Sequence, residues 1–478
     1  RFSAKKGQVF EVECFARRIR SGLDSVVNVY YADGRSIAGN DDSRGPDSYL
    51  RFTVPADGEY VIRVTDHLSR GQKDFVYRLE FHPVSPKLTL GIPRVDRYSQ
   101  YRQAIFVAQG NRFATLVSAS RANFGGEIKL DADDLPAGVK MVCQPMASNL
   151  TTMPVVFEAA ADAPLGGKLV EFKGRHVDPK VNIVGGYQNL ADFVLGPPNN
   201  TLYYPCTVKK LPIVVVESLP FELEIQQPKA PLVRSGSMSL KVVVKRKEGF
   251  KGAIRVQFPF RPPGVGTTSA ITIPADKSEG YYPLNASANA QIKEWPIYVI
   301  GSSAVNGEAW VGSQLASLTI ADQFVTFEMQ RTSCEQGQET EVLCKLNQLA
   351  EFEGNAKAEL LGLPNKVTTE VLEFNKETKE LVFKLKTDKA SPAGKHKNVF
   401  CRVTLLKENE PVVARAGGTE LQIDKPLPPK PNAAPKPAAP KPKPVVAKAA
   451  PKPKKEKPLS RLEKLRLAAK KQREEGGE

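Results

Sequence analysis

Near the start of the chain, Asp33, Asn40, Asp41, Asp42 and Asp47 gather oxygen-bearing side chains into a short stretch. Calcium takes about six to eight hard oxygen ligands from carboxylates and carbonyls on flexible loops, and this set has donors of that kind. Arg35 and Arg44 stand among the acids and no EF-hand spacing is present, so the same residues also read as solvated acidic turns. Hydrolytic chemistry leaves other traces. The chain has no GxSxG elbow, no HExxH pair and no papain-type cysteine signature. Its histidines, His67, His82, His176 and His396, are scattered. His67 beside Asp66 reads as a turn, because no nucleophile motif accompanies it. No catalytic residue and no organic cofactor is expected, and calcium is the one ion the residue types suggest.

Six cysteines, Cys14, Cys143, Cys206, Cys334, Cys344 and Cys401, form no CxxC pair, which argues against zinc or thioredoxin-like chemistry. Cys344 in Val342–Leu346 and Cys401 in Val399–Val403 fall on the apolar parity of alternating segments. Their spacing suits either a bridge between an early and a late strand of one sandwich or two reduced core thiols. Trp295, inside the alternating Trp295–Val299, reads as core. In each of the pairs Tyr203-Tyr204 and Tyr281-Tyr282, strand geometry turns one ring inward and the other outward.

The elements that must carry these residues are strands. Apolar and polar residues alternate along Leu50–Val54, Tyr60–Val64 and Tyr77–Phe81, and Asp33-Gly34 suits a tight hairpin turn. The expected class is all-β, tandem antiparallel sandwiches. A chain of 478 residues at 41% hydrophobic content has the length for several cores and the apolar residues to fill them. No apolar run reaches about 18 residues, so no transmembrane helix is expected.

A group of short motifs marks the first 85 or so residues: the Gly7-Gln8 opening, the Asp33-Gly34 hairpin, the acidic turn Asn40-Asp41-Asp42, the strand-turn-strand from Leu50 to Val64 with Asp57-Gly58-Glu59-Tyr60, and Tyr77-Arg78-Leu79. In these the segment resembles the bacterial pre-peptidase C-terminal (PPC) domain. The resemblance implies a compact jelly-roll-like β-sandwich of secreted proteins, often found beside proteases, with calcium-binding modules among its relatives. It also implies that the first strands of the unit precede Arg1; the chain opens on Arg1 rather than Met and without a signal-peptide pattern, so any export signal or catalytic domain is expected upstream.

An internal repeat follows. Phe124-Gly126-Ile128 leads to Pro136 and Val139, Phe250-Gly252-Ile254 to Pro262 and Val265, and Phe352-Gly354-Ala356 to Pro364 and Val367, with the same offsets in each. Two copies carry a later turn, Asp162–Gly166 and Asp388–Gly394. The unit has the size of an Ig-like sandwich, and the string of units resembles the Ig-like arrays of large secreted bacterial proteins. The expected partition is a PPC-like sandwich at 1–86 and Ig-like repeats at 87–217, 218–321 and 322–424. A disordered Pro/Lys/Ala-rich linker at 425–459 and a short basic helix at 460–478, opened by the capping box Ser460-Arg-Leu-Glu463, complete it.

The tail holds 16 Lys and Arg against five Glu, most of the formal +16 of the whole chain, so the folded body is only mildly basic. The expected function is a non-catalytic structural, adhesive or binding segment of an exported multidomain bacterial protein, secreted, periplasmic or at the cell surface. Its partners would be protein or envelope-polysaccharide surfaces, with an anionic partner for the tail. The alternatives are an accessory substrate-binding region of a secreted peptidase or other hydrolase, and polyanion or nucleic-acid binding by the tail, sequence-specific recognition being disfavoured because the body carries no recognition motif.

Overall fold

A computed structural model describes residues 1–96, 100–199 and 201–426. The linker and helix expected from 425 onward lie, beyond residue 426, outside the described residues. Among the described residues strand accounts for 59% and helix for 1%, so the fold is all-β, with most strand pairs antiparallel and a few parallel ones joining its sheets.

The first sandwich pairs two sheets. One orders Phe2–Ala4, Gly58–Asp66, Ser25–Tyr31 and Ser36–Asn40; the other orders Tyr49–Thr53, Val9–Phe15 and Arg78–Pro83. Alternate residues Val12 and Cys14, Val27 and Val29, and Leu50 and Phe52 point into the space between them and are buried. Phe2, Phe10, Phe52 and Phe81 close the core with ring centroids 4.6 to 6.2 Å apart. This core is separate from those that follow.

The three repeats fold alike at their shared residues. In each, the valine three residues after the proline donates its N–H back to the proline carbonyl: Val139 to Pro136 at 3.0 Å, Val265 to Pro262 at 2.9 Å and Val367 to Pro364 at 3.2 Å. The residue just before the valine takes a left-handed backbone in all three, Gly138 at φ +75°, Gly264 at +84° and Lys366 at +62°. The carbonyl of that residue is then bonded from a second turn, by Ala160 N, Ser287 N and Ser391 Oγ respectively. That second turn recurs in every copy, as Ala160–Ala163, Ser287–Ala290 and Asp388–Ser391, and its last residue is buried each time.

Glycine occupies the left-handed position at no steric cost, whereas a side chain there costs roughly 1 to 2 kcal/mol. The third repeat bears that cost at Lys366. Lys366→Gly should therefore stabilise this repeat by about 1 kcal/mol, less the added freedom of the unfolded chain. Chemical denaturation should read this as a raised midpoint with an unchanged slope.

The repeats are joined through their cores. One hydrophobic cluster runs from Leu88 to Ile320, with Trp295 and Tyr298 among its largest buried members. Asn111 donates its side-chain amide to the Phe221 carbonyl at 2.9 Å. Gly312 lies so close to Ala114 that a Cβ there would meet the Ala114 nitrogen at 2.5 Å. Farther on, Gly236 and Ser237 pair with Ala414 and Val413, making one sheet of strands from the second and third repeats. The Glu410 carboxylate receives the backbone N–H groups of Lys229 and Ala230 at 2.8 and 3.0 Å, tying the third repeat to the start of the second.

Trp295 and Tyr282 are buried and Tyr281 is exposed, as alternation on a sheet with a core behind it demands. Tyr203 and Tyr204 depart from the one-in, one-out expectation: both are exposed. Among the described residues their strand Thr201–Val208 pairs only with Asn189–Gly196, and no second sheet lies behind this two-stranded hairpin.

Candidate functional site

The five oxygen donors of the first sandwich do not converge. Asp33 sits in the turn after Ser25–Tyr31, while Asn40, Asp41 and Asp42 follow the far end of Ser36–Asn40. At about 3.3 Å per residue that strand holds the two groups roughly 15 Å apart. Asp33 is engaged by Arg35, whose backbone and side chain bond it at 3.0 and 2.8 Å and hold its carboxyl below the usual range. The Asn40 side-chain oxygen accepts from Ser43 N and Tyr49 N at 3.1 and 3.0 Å. Asp42 is exposed, and Asp41 lies 3.7 Å from the His67 ring.

Asp47 is turned inward, its side chain fully buried. Its carboxylate accepts four bonds: Ala16 N at 3.1 Å and Arg17 N at 2.7 Å on Oδ1, and Arg18 N at 3.2 Å and Arg18 Nε at 2.7 Å on Oδ2. These amides open the 3-10 turn Arg17–Ile19, whose own N-cap residue, Ala16, has no side chain able to cap it. Asp47 supplies the cap from across the sandwich. Burial disfavours its charged form, but the Arg18 guanidinium and the three amides outweigh this and hold the carboxyl below its ordinary value.

Asp66 is built the same way. Arg70 binds it through Nε and Nη2, both at 2.9 Å, and Asp24 N, Leu68 N and Arg70 N each donate at 3.1 Å. The Arg70 guanidinium, helped by the amides, holds this carboxyl far below the usual range. Asp66 is thus turned to Arg70, and the His67 ring faces Asp41 instead.

These two carboxylates are the most strongly engaged acids of the first sandwich, and arginine and backbone N–H groups already satisfy their oxygens. The residues do not fit a calcium site: among the described residues no three His, Cys, Asp or Glu side chains form a set able to hold a metal. Adding calcium or chelator should consequently shift the melting temperature of the first sandwich by less than about 2 °C, since ligand binding stabilises only in proportion to its affinity for the folded form. A larger rise with calcium would mean that Asp41, Asp42 and backbone carbonyls gather on binding.

The Asp66–Arg70 pair, four residues apart, is visible in the sequence once a turn is placed there. Asp47 and Arg18 are 29 residues apart and no local pattern joins them. Cys344 and Cys401 both belong to the core of the third repeat, and both are free thiols. Burial pushes the Cys344 thiol up to about 11. Cys401 is pushed higher by burial, with the nearby Cys344 adding to the rise.

The model of the bacterial pre-peptidase C-terminal domain family matches residues 1–66. A probable subtilase-type serine protease of Deinococcus radiodurans is 36% identical over an 84-residue alignment that covers 15% of this chain and 12% of that protease. The match thus spans about an eighth of the relative. Solved structures similar to this chain include a protein of unknown function from Porphyromonas gingivalis, 14% identical over 43% of this chain and 100% of that one, with a TM-score of 0.17. The native form of Escherichia coli alpha-2-macroglobulin is 11% identical over 88% of this chain and 28% of that one, at a TM-score of 0.19. Fibronectin(III)-like modules of Clostridium thermocellum CbhA are 7% identical over 42% of this chain and 94% of that one, at 0.18. No helix among the described residues is long and apolar enough to cross a membrane.

Proposed function

We propose that this chain is a non-catalytic accessory region of an exported multidomain bacterial protein, a PPC-type sandwich followed by Ig-like repeats that act as a spacer and present a binding surface. The observation that carries the reading is the match of residues 1–66 to the PPC family together with the use of the buried carboxylates of that unit as structural caps. A carboxylate saturated by amides and arginine has no lone pair left for general-base work. The partners are protein or envelope-polysaccharide surfaces, and the basic tail engages an anionic polymer through its Coulomb attraction. Incubation with isolated bacterial envelopes and with unfolded casein tests this: the chain should sediment with the envelopes and leave the casein intact. Cleavage of casein that an active-site serine reagent blocks would overturn it.

The match to a subtilase-type protease supports a second reading, in which these sandwiches hold substrate for a peptidase domain on the same polypeptide. It predicts that the chain added in trans binds unfolded casein more tightly than envelopes. Export also places Cys344 and Cys401 in oxidising surroundings, and we propose that they bridge there. Alkylation of the denatured, unreduced exported chain should then modify four of its six cysteines; modification of all six would refute the bridge.

A further inference from the structure

The junction of the first two repeats holds a cleft of about 630 Å³, the size of a site for a small organic ligand. Both repeats supply its walls. From the first come Phe113 to Leu116 of the strand Arg112–Ala122; from the second comes the run Phe258-Pro259-Phe260-Arg261, which leads into Pro262. Proline fixes the backbone at two points of that run. Its rings are anchored behind, Phe258 against Tyr282 at 5.7 Å and Phe260 against Trp295 at 6.4 Å between centroids. Gly312 of the second repeat lies against the backbone of Ala114, itself a wall residue, so the two sides are fixed relative to each other.

The cleft is positive. Arg94, Arg102 and Arg261 line it, and no Asp or Glu stands among its described lining residues. Arg94 is neutralised from outside by Asp192, through a two-pronged pair at 2.6 and 2.8 Å. Arg102 lies over the Trp310 ring at 4.0 Å, which ties it to the second repeat. Arg261 is exposed and pairs with no carboxylate among the described residues. Tyr298, another wall residue, is only 1% exposed, yet among the described residues nothing hydrogen-bonds its hydroxyl. Buried polar groups are ordinarily bonded, so this one calls for a partner from the cleft. Burial pushes the phenol up, against the pull of the nearby Arg102 charge, so the hydroxyl keeps its proton at neutral pH and can donate it.

We propose that this cleft binds a carboxylate carried on an apolar body, as the free C-terminus of a peptide or a fatty acid presents it. The carboxylate bonds the Arg102 guanidinium and accepts from the Tyr298 hydroxyl, while its apolar body lies on Phe113, Leu116, Phe258 and Phe260. One guanidinium and one neutral hydroxyl suit a planar monoanion better than a doubly charged phosphate, since Arg94 is already spoken for by Asp192. Arg261, exposed at the rim, adds long-range attraction for the anion.

Titration calorimetry of the full chain tests this with three probes: N-acetyl-leucyl-phenylalanine, its C-terminal amide, and decanoate. A ligand of the dipeptide's size should bind with a Kd of about 10 to 100 µM. The amide should bind at least about tenfold more weakly, because it lacks the charge that Arg102 and the hydroxyl recognise. Tyr298→Phe keeps the ring and removes only the hydroxyl, and should weaken the acid about tenfold. Arg261→Ala, at an exposed position that folding does not need, should weaken it about threefold at low salt and hardly at all in about 0.5 M salt. Circular dichroism checks that both variants keep their fold. Tighter binding of the peptide acid than of decanoate assigns the cleft to peptide ends, and the reverse order assigns it to fatty acids. Equal affinity for acid and amide, no binding of either acid at millimolar concentration, or an affinity that Tyr298→Phe leaves unchanged overturns the proposal.

Discussion

Asp47→Ala should unfold the first sandwich well before the rest of the molecule. The substitution strips a fully buried carboxylate and leaves the N–H groups of Ala16, Arg17 and Arg18 and the Arg18 Nε without their acceptor. Breaking one side of such an arrangement strands buried donors, at a cost of about 3 kcal/mol or more. In a unit of this size that lowers the melting temperature by well over 10 °C, at about 4 to 8 °C per kcal/mol. Calorimetry of the full chain should show one transition moving down while the others stay. Hydrogen exchange should show the Ala16–Arg18 amides losing protection, since the 3-10 turn they open has no other cap. Asp47→Asn keeps one acceptor oxygen and should fall between the two.

The same groups set an acid limit. Asp47 and Asp66 both titrate lower in the folded chain than their ordinary value of 3.8, so protonation favours the unfolded state. Their contribution is fully present above about pH 5, begins to fade as the pH approaches 3.8, and is lost as the pH falls further through the folded values. Asp47→Ala should flatten that part of the stability profile of the first sandwich. A profile unchanged by the substitution would mean that the carboxylate carries no net stabilisation.

Gly264→Ala should cost about 3 kcal/mol or more, and its reason lies in the repeat. The residue holds φ +84°, a strain of roughly 1 to 2 kcal/mol for any side chain, and a Cβ there would stand 2.5 Å from the Ala290 Cα. That atom is backbone in a buried turn and cannot move aside cheaply, which adds about 1 to 3 kcal/mol of overpacking. Gly138→Ala should act in the same direction, because Ala163 is the equivalent neighbour, with its Cβ at 2.8 Å. Since the first two repeats share a core, either change should show as one broad loss across both, whereas Lys366→Gly acts oppositely in the third. Denaturant unfolding of the three variants side by side checks the set; equal effects would mean that the three positions are not structurally equivalent.

The candidate site was legible in one respect and opaque in another. The acidic residues of the first sandwich stand out as a cluster, and Asn40, Asp41 and Asp42 do lie together at the end of Ser36–Asn40 and in the bend after it. That Asp47 turns away from this loop to cap Arg17–Ile19 was not legible, because a cap supplied from 29 to 31 residues away leaves no spacing signature. The uncharged run from Phe193 to Val208 was in plain view, but an apolar hairpin reads the same whether or not a sheet lies behind it.

By itself the sequence determined the all-β class, the PPC-like opening and the triplicate unit, because alternation with period two, glycine at left-handed positions and proline turns are local demands that a chain must write into adjacent residues. It even marked the repeated turn before Val139, Val265 and Val367. Tertiary structure alone decided that the second copy makes its later turn through Ser287–Ala290 with neither Pro nor Gly, that the first two repeats fuse into one core, and that Gly236 zips the second repeat to the third. It alone decided which acids face solvent and which are buried against arginine. These outcomes depend on packing between segments distant in the chain, where burial and the pairing of every enclosed polar group, rather than any local preference, select the arrangement.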